Sequence, residues 1–292
     1  MRNFPVWLTK SFSPDGTSRA VQGLLSELNL ESVCEHASCP NRQDCYSNRQ
    51  LTFMILGRNC TRACRFCAVS HGLVSGVDLD EPMRLAEAAN RLGLSHVVVT
   101  SVTRDDLADE GASHFVRVVE ALKKSPSHPS IELLVPDFHA RKELIEQVIS
   151  SSPDVFAHNI ETVERLSGSL RPQAGYRRSL DVLRLAASIT KTSIIKSGIM
   201  VGLGETCSEV KETLKDLFEA GCTHVTIGQY LRPSSKCVEV AEYVSPSRFL
   251  EFRDMAYEIG FSWAASSPFV RSSYRAFEAL KARASFKEAV SV

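Results

Sequence analysis

The sequence predicts an α/β fold, an incomplete (β/α)6 TIM-like barrel with an N-terminal extension and a C-terminal tail. Three observations carry this. Six short runs rich in β-branched residues alternate with segments whose apolar residues recur at helical spacing. The runs are continuously apolar rather than alternating, the pattern of parallel strands buried on both faces. A chain of 292 residues, 43% of them apolar, can also fill one large barrel core.

Residues 1–50 precede the first run and make up the extension, with one helix expected near 18–28. The six expected strands are 51–57, 96–102, 131–136, 155–160, 193–201 and 224–231. Leu85, Ala88, Ala89 and Leu92 share one face of a helix between the first two strands, as do Phe115, Val118, Val119 and Leu122 between the next two. Right-handed crossovers curl these units, spanning 51–260, into an open barrel. A full barrel needs two more strands, and the stretch 261–269 offers only an irregular edge. The tail is 261–292. Active sites of such barrels lie at the carboxyl ends of the strands, and here the loops after the runs are polar, including Arg58-Asn59-Cys60, Thr103-Arg104-Asp105-Asp106 and Gly202-Leu203-Gly204-Glu205.

Lys plus Arg equals Asp plus Glu at 34 each, so no global charge draws the chain to nucleic acid or an anionic membrane. The first ten residues mix Arg2, Pro5 and Lys10 among apolar ones and carry no signal-peptide core, and no segment approaches the roughly 20 apolar residues of a membrane span. A cytoplasmic location is expected. Thiols stay reduced there, so clustered cysteines argue for metal rather than disulfides. Six of the nine cysteines fall between positions 34 and 67.

Cys60-Thr61-Arg62-Ala63-Cys64-Arg65-Phe66-Cys67 is a C-x3-C-x2-C loop directly after the first strand. Three thiolates hold three corners of a 4Fe-4S cluster and leave one iron open. The ordinary alternative, a zinc knuckle, normally pairs two C-x2-C elements, and only one is present. The spacing, Phe66 and the position after strand one resemble the signature of the radical S-adenosylmethionine (SAM) superfamily. Upstream, Cys34, Cys39 and Cys45 form C-x4-C-x5-C, which fits no common zinc pattern and again leaves a fourth ligand to be found.

With this second set the chain resembles the lipoyl synthase family within that superfamily. The likeness includes Phe53-Met54-Ile55-Leu56-Gly57, Val99 to Leu107, His158-Asn159-Ile160-Glu161-Thr162, Lys196 to Thr206 and Arg271-Ser272-Ser273-Tyr274, and extends over nearly the whole chain. The resemblance implies two 4Fe-4S clusters and SAM as cofactors. One cluster would sit on Cys60, Cys64 and Cys67. The other would sit on Cys34, Cys39 and Cys45, with a serine of the Arg-Ser-Ser-Tyr motif as oxygen ligand; Ser273 is favoured over Ser272, although the motif alone does not separate them. The alternative for that motif is an ordinary helix N-terminus. SAM would lie near Thr100 and Ser101, near Asn159 and Glu161, and near Gly202, Gly204 and Glu205. The activity implied is insertion of two sulfur atoms, at C6 and C8, into an octanoyl group held on a protein lysine. Implied partners are octanoylated lipoyl-carrier domains, such as the glycine cleavage H protein and the acyltransferase subunits of 2-oxoacid dehydrogenases, and an electron donor such as flavodoxin or ferredoxin.

Other residues have bland alternatives. Arg104, Arg171 and Arg232 offer planar forks for a carboxylate or peptide, yet most surface arginines do nothing so specific. His158 reads equally as a buried, hydrogen-bonded core residue. Lys196 points either into the barrel or to solvent, and the Gly202-x-Gly204 pair reads equally as a tight turn. Cys207, Cys222 and Cys237 lack ligand spacing. The chain departs from the family pattern at His36, Ala68 and Cys237, none of them an expected ligand. The rivals are a sulfur-inserting enzyme of the biotin synthase type, a ferredoxin-like electron carrier and a zinc-stabilised binding module.

Overall fold

The computed structural model describes residues 4–10, 16–190, 192–273, 276–278 and 280. After helix α1 (Gly16–Glu27) the extension contributes strand β1 (Glu31–Ser32) and two short helices, α2 (Val33–His36) and α3 (Arg42–Ser47). Strand β2 (Thr52–Ile55) opens the barrel, and β3 (Asn59–Cys60) and β4 (Ser70–His71) form a small separate ladder above it. Then α4 (Glu81–Leu92), β5 (His96–Ser101), α5 (Ala112–Lys124), β6 (Ser130–Leu134), α6 (Lys142–Ser150) and β7 (Val155–Ala157) follow in strict alternation. The rest is α7 (Glu164–Leu170), α8 (Tyr176–Ile189), β8 (Ile194–Val201), α9 (Cys207–Glu219), β9 (His224–Gln229), α10 (Pro246–Ile259) and β10 (Trp263–Ser267).

The main sheet runs β1-β2-β5-β6-β7-β8-β9-β10, parallel throughout except for the β1–β2 pair. All six expected strands are present, in sequence order, with a helix after each. The stretch 261–269 departs from the expectation of an irregular edge. There β10 pairs with β9 over five consecutive positions, Trp263↔His224 to Ser267↔Gly228, as a regular seventh parallel strand.

Local chemistry accounts for the boundaries. Gly93, with φ at 63°, closes α4 in the left-handed conformation that a side chain resists. Thr206 and Glu209 form a reciprocal capping box at the start of α9. Ser245 caps α10 ahead of Pro246. Leu85, Ala88, Ala89, Phe115, Val118, Val119 and Leu122 are all fully buried against the sheet, as their spacing requires. Val21, Leu24, Leu25 and Tyr46 of the extension belong to the same core, so the extension packs onto the barrel. No helix among the described residues is long and apolar enough to cross a membrane.

Candidate functional site

The two cysteine sets lie at opposite ends of β2. Antiparallel pairing of Glu31 with Met54 and Ser32 with Phe53 brings the chain after β1 back to the amino-terminal end of that strand. The Ser32 hydroxyl accepts from the Cys34 amide at 3.1 Å, and the Cys34 thiol is in hydrogen-bonding contact with Thr52. The Cys39 amide donates to the Cys34 carbonyl at 3.0 Å, and Cys45 rides on α3. These three thiols line a cavity of about 290 Å³ together with Arg271 and Ser273. Asn41 donates its side-chain amide to the Phe269 carbonyl at 2.6 Å and so ties the segment after β10 to the extension.

At the carboxyl end of β2, the parallel contacts Asn59↔Ser70 and Cys60↔His71 close the base of the second cysteine loop. The Cys60 sulfur accepts from the backbone amides of Arg62 at 3.4 Å and Thr103 at 3.3 Å, donors suited to a thiolate. The Arg62 guanidinium, buried inside this loop, donates to Asp105 and Asp137, each at 2.8 Å, and to His139 Nε2 at 3.2 Å. Burial opposes the Asp137 carboxylate, but the hydrogen bond and charge of Arg62 outweigh it and hold its pKa well below the usual carboxylate range.

Each set converges electrostatically. Burial pushes the Cys45 thiol up to about 12, and charge on Cys34 and Cys39 adds to the rise. Burial likewise raises Cys67 to about 12, with Cys64 and Cys60 adding to it. Neighbouring thiolates packed in this way are stabilised together by a positive metal group. Among the described residues the only ligand atoms that close to within 4.8 Å in threes are those of Asp105, Glu110 and His139. The cysteines are therefore spaced more widely than Zn–S bonds of about 2.3 Å allow, and the cavity suits a polyatomic cluster. The Asp105, Glu110 and His139 group lies against a cation already: His139 Nδ1 is 2.9 Å from Glu110, and Arg62 donates to Asp105 and faces His139 Nε2.

The residues expected around SAM share the carboxyl edge. Thr100 donates to the Leu134 carbonyl at 2.8 Å, while the buried Ser101 hydroxyl has no partner. Thr162 Oγ1 and Arg171 Nε are also buried without partners, leaving three orphan polar groups for a ligand to satisfy. Asn159 donates to Glu161 at 3.1 Å, and burial raises the Glu161 pKa against the opposing charge of Arg171. Glu161 lies within electrostatic reach of Cys64 and Cys67. Gly202 has φ at 97°, and a Cβ there would fall 2.1 Å from Gln229. Glu205 turns its carboxylate onto the amides of Gly202 and Leu203, so this loop is a self-capped turn between β8 and α9.

Several side chains resolve to their plainer reading. Arg104 spends its guanidinium on Asp106, Leu56 and Ser75, and Arg232 on the Cys237, Ser235 and Glu239 oxygens. His158 is a core residue: its Nδ1 meets the Val135 carbonyl and its Nε2 the Ser179 hydroxyl, both at 2.9 Å. Lys196 points inward, 2.9 Å from Glu132 Oε1. Cys222 is buried, Cys207 is exposed, and the Cys237 thiol faces the Cys67 carbonyl at 3.5 Å. Sequence reasoning missed Arg62, Asp137 and Glu132, whose partners lie on other strands. The acidic loop ends at Asp105 and Asp137 were the only signal for the first pair.

The Radical SAM superfamily model matches residues 54–217, which makes the class of protein a radical SAM enzyme. Among solved structures, methylornithine synthase aligns over 89% of this chain and 85% of its own, with a TM-score of 0.54 and 15% identity. Streptococcus suis SuiB bound to precursor peptide aligns over 85% of this chain and 52% of its own, with a TM-score of 0.59 and 11% identity; both likenesses concern the fold alone. Lipoyl synthase of Caldanaerobacter subterraneus subsp. tengcongensis is 51% identical over 93% of this chain and 95% of its own. That of Alkaliphilus metalliredigens is 47% identical over 95% and 96%, and that of Methanocella arvoryzae 48% over 94% and 93%. The chain belongs to the lipoyl synthase family. It is a sulfur-inserting radical SAM enzyme whose cofactors are SAM, a 4Fe-4S cluster and an auxiliary cluster, and it acts on octanoylated carrier proteins.

Proposed function

We propose that the barrel holds an octanoyl-lysine side chain between the two cysteine sets and that each set has one task. Cys60, Cys64 and Cys67 hold the cluster that binds SAM. Cys34, Cys39 and Cys45, with Ser273 as fourth ligand, hold the cluster that is the sulfur source. When bound, these groups supply a carbon-centred radical at one end of the barrel and sulfide at the other.

The protein's own task is placement. The observation that carries the reading is the position of the two sets at opposite ends of β2, a strand of four residues and so about 13 Å long. An acyl chain entering from the carboxyl edge can address both within one bore, and a fixed geometry converts the encounter into an intramolecular one. Arg62, clamped by Asp105 and Asp137, holds the loop from Cys60 to Cys67 in place. Thr100, Ser101, Asn159, Glu161 and the Gly202, Gly204 and Glu205 turn surround SAM, with Ser101, Thr162 and Arg171 offering the unpaired polar groups.

The substrates are octanoylated carrier domains of the glycine cleavage H protein and 2-oxoacid dehydrogenase type. A flavodoxin or ferredoxin supplies electrons, and the thiol-rich site suits a cytoplasmic location. The test is mass spectrometry of an octanoyl-lysine peptide incubated anaerobically with the reconstituted protein, SAM and a reductant. A product carrying two added sulfurs supports the reading. SAM cleavage with an unchanged peptide contradicts it.

A further inference from the structure

Ser272 and Ser273 are consecutive, yet they face different places. Ser273 lines the cysteine cavity, and Ser272 does not. The Ser272 hydroxyl donates to Asn159 Oδ1 at 2.8 Å, and the same amide donates through Nδ2 to Glu161 Oε1 at 3.1 Å. Both ends of the Asn159 amide are thereby committed, which fixes its orientation. Glu161 in turn lies within electrostatic reach of Cys64 and Cys67. Hydrogen bonds therefore run from Glu161 through Asn159 to Ser272, the residue next to Ser273, and the Glu161 end lies in the electrostatic field of one cysteine set.

The packing makes this junction tight. A Cβ at position 198 would lie 2.7 Å from Ser272 Oγ, 2.7 Å from Thr226 Oγ1 and 2.9 Å from Asn159 Oδ1. Gly198 leaves just the room that the Ser272–Asn159 contact occupies. Shifting Ser272 then means rearranging Asn159, because interiors packed this closely do not deform continuously.

We infer that Ser272 is a positioning residue that couples the two cofactor sites, holding the Asn159 amide ready for SAM while anchoring the backbone that presents Ser273. This rests on the placement of SAM at Asn159 and Glu161 proposed above. Coupling between sites is reciprocal. An occupied auxiliary site, by holding residues 271–273 in place, should tighten SAM binding, and SAM binding should alter the environment of the auxiliary iron.

The test measures SAM affinity by equilibrium binding, and the auxiliary-cluster spectrum with and without SAM, in the reconstituted enzyme and in Ser272→Ala, Ser272→Thr and Asn159→Ala. Ser272→Ala should weaken SAM binding about two- to tenfold, the scale of one net hydrogen bond. The unaltered enzyme should show a SAM-induced change in the auxiliary spectrum, and Ser272→Ala should abolish it. Ser272→Thr, which keeps the hydroxyl, should restore both. Full SAM affinity and a retained spectral response in Ser272→Ala would overturn the coupling. If Asn159→Ala weakens SAM binding in that case, the SAM placement stands and only the coupling falls. If Asn159→Ala also binds SAM normally, the placement falls with it.

Discussion

The carbonyl oxygen of Val270 lies 2.1 Å from the point where a Cβ on residue 228 would stand, so the segment after β10 enters the barrel only because β9 carries glycine there. Gly198, on the neighbouring strand, makes the matching room for Ser272. These two glycines let residues 270–273 reach the cysteine cavity.

Gly228→Ala should therefore displace that segment, since the clash is with backbone and cannot be relieved by a side-chain rotation. The expected result is iron falling from about eight to about four atoms per chain, with SAM cleavage retained. Iron analysis and 5'-deoxyadenosine assay check this. Full iron together with full lipoyl product in the variant would show that the entry path is not needed.

The pair formed by Lys196 and Glu132 is buried inside the barrel, with Trp263 stacked over the ammonium at 5.8 Å and His96 Nε2 3.8 Å from the carboxylate. Removing one partner strands the other charge. Lys196→Met should cost about 3–5 kcal/mol, and the double change Lys196→Met with Glu132→Leu should recover much of it. Urea unfolding midpoints of the single and double variants decide the matter, and equal losses in both would contradict the account.

Burial, with the charge of Arg171 assisting, lowers the His158 pKa to about 4 from an ordinary 6.5. Because the folded value is the lower one, the unfolded chain binds more protons between those limits. The neutral ring's contribution is fully present above pH 6.5 and is lost as pH falls towards 4. One such group makes the protein about 2 kcal/mol less stable at pH 5 than at pH 7. His158→Gln should flatten that part of the stability curve, measured by urea unfolding at the two pH values; an unchanged slope would mean that other groups set it.

Much of this architecture is legible in the sequence, and the exceptions have physical causes. Strands at 96–101 and 194–201 stand out because burial on both faces favours apolar, β-branched stretches, Val97 to Thr100 in one and Ile194, Ile195 and Ile199 to Val201 in the other. The strand Trp263–Ser267 does not, for Ala264, Ala265, Ser266 and Ser267 carry no β-branched signal, and its identity comes from pairing with β9. The cysteines proposed as ligands declare themselves by spacing. The Lys196–Glu132 pair could not, since the two residues are joined only by the register of β6, β7 and β8. Ser272 and Ser273 are chemically identical neighbours, and only their opposite orientations distinguish them.

The division of labour between the cysteine sets is tested most directly by Cys39→Ala, assayed for 5'-deoxyadenosine and for sulfur-containing product in the same reaction. Cys39 lines the cavity with Cys34, Cys45 and Ser273, while Cys60, Cys64 and Cys67 lie at the other end of β2. The variant should still cleave SAM and should form no thiolated octanoyl peptide, whereas Cys64→Ala should lose both. Lipoyl product at the normal rate from Cys39→Ala would contradict the assignment of Cys34, Cys39 and Cys45 as the sulfur source.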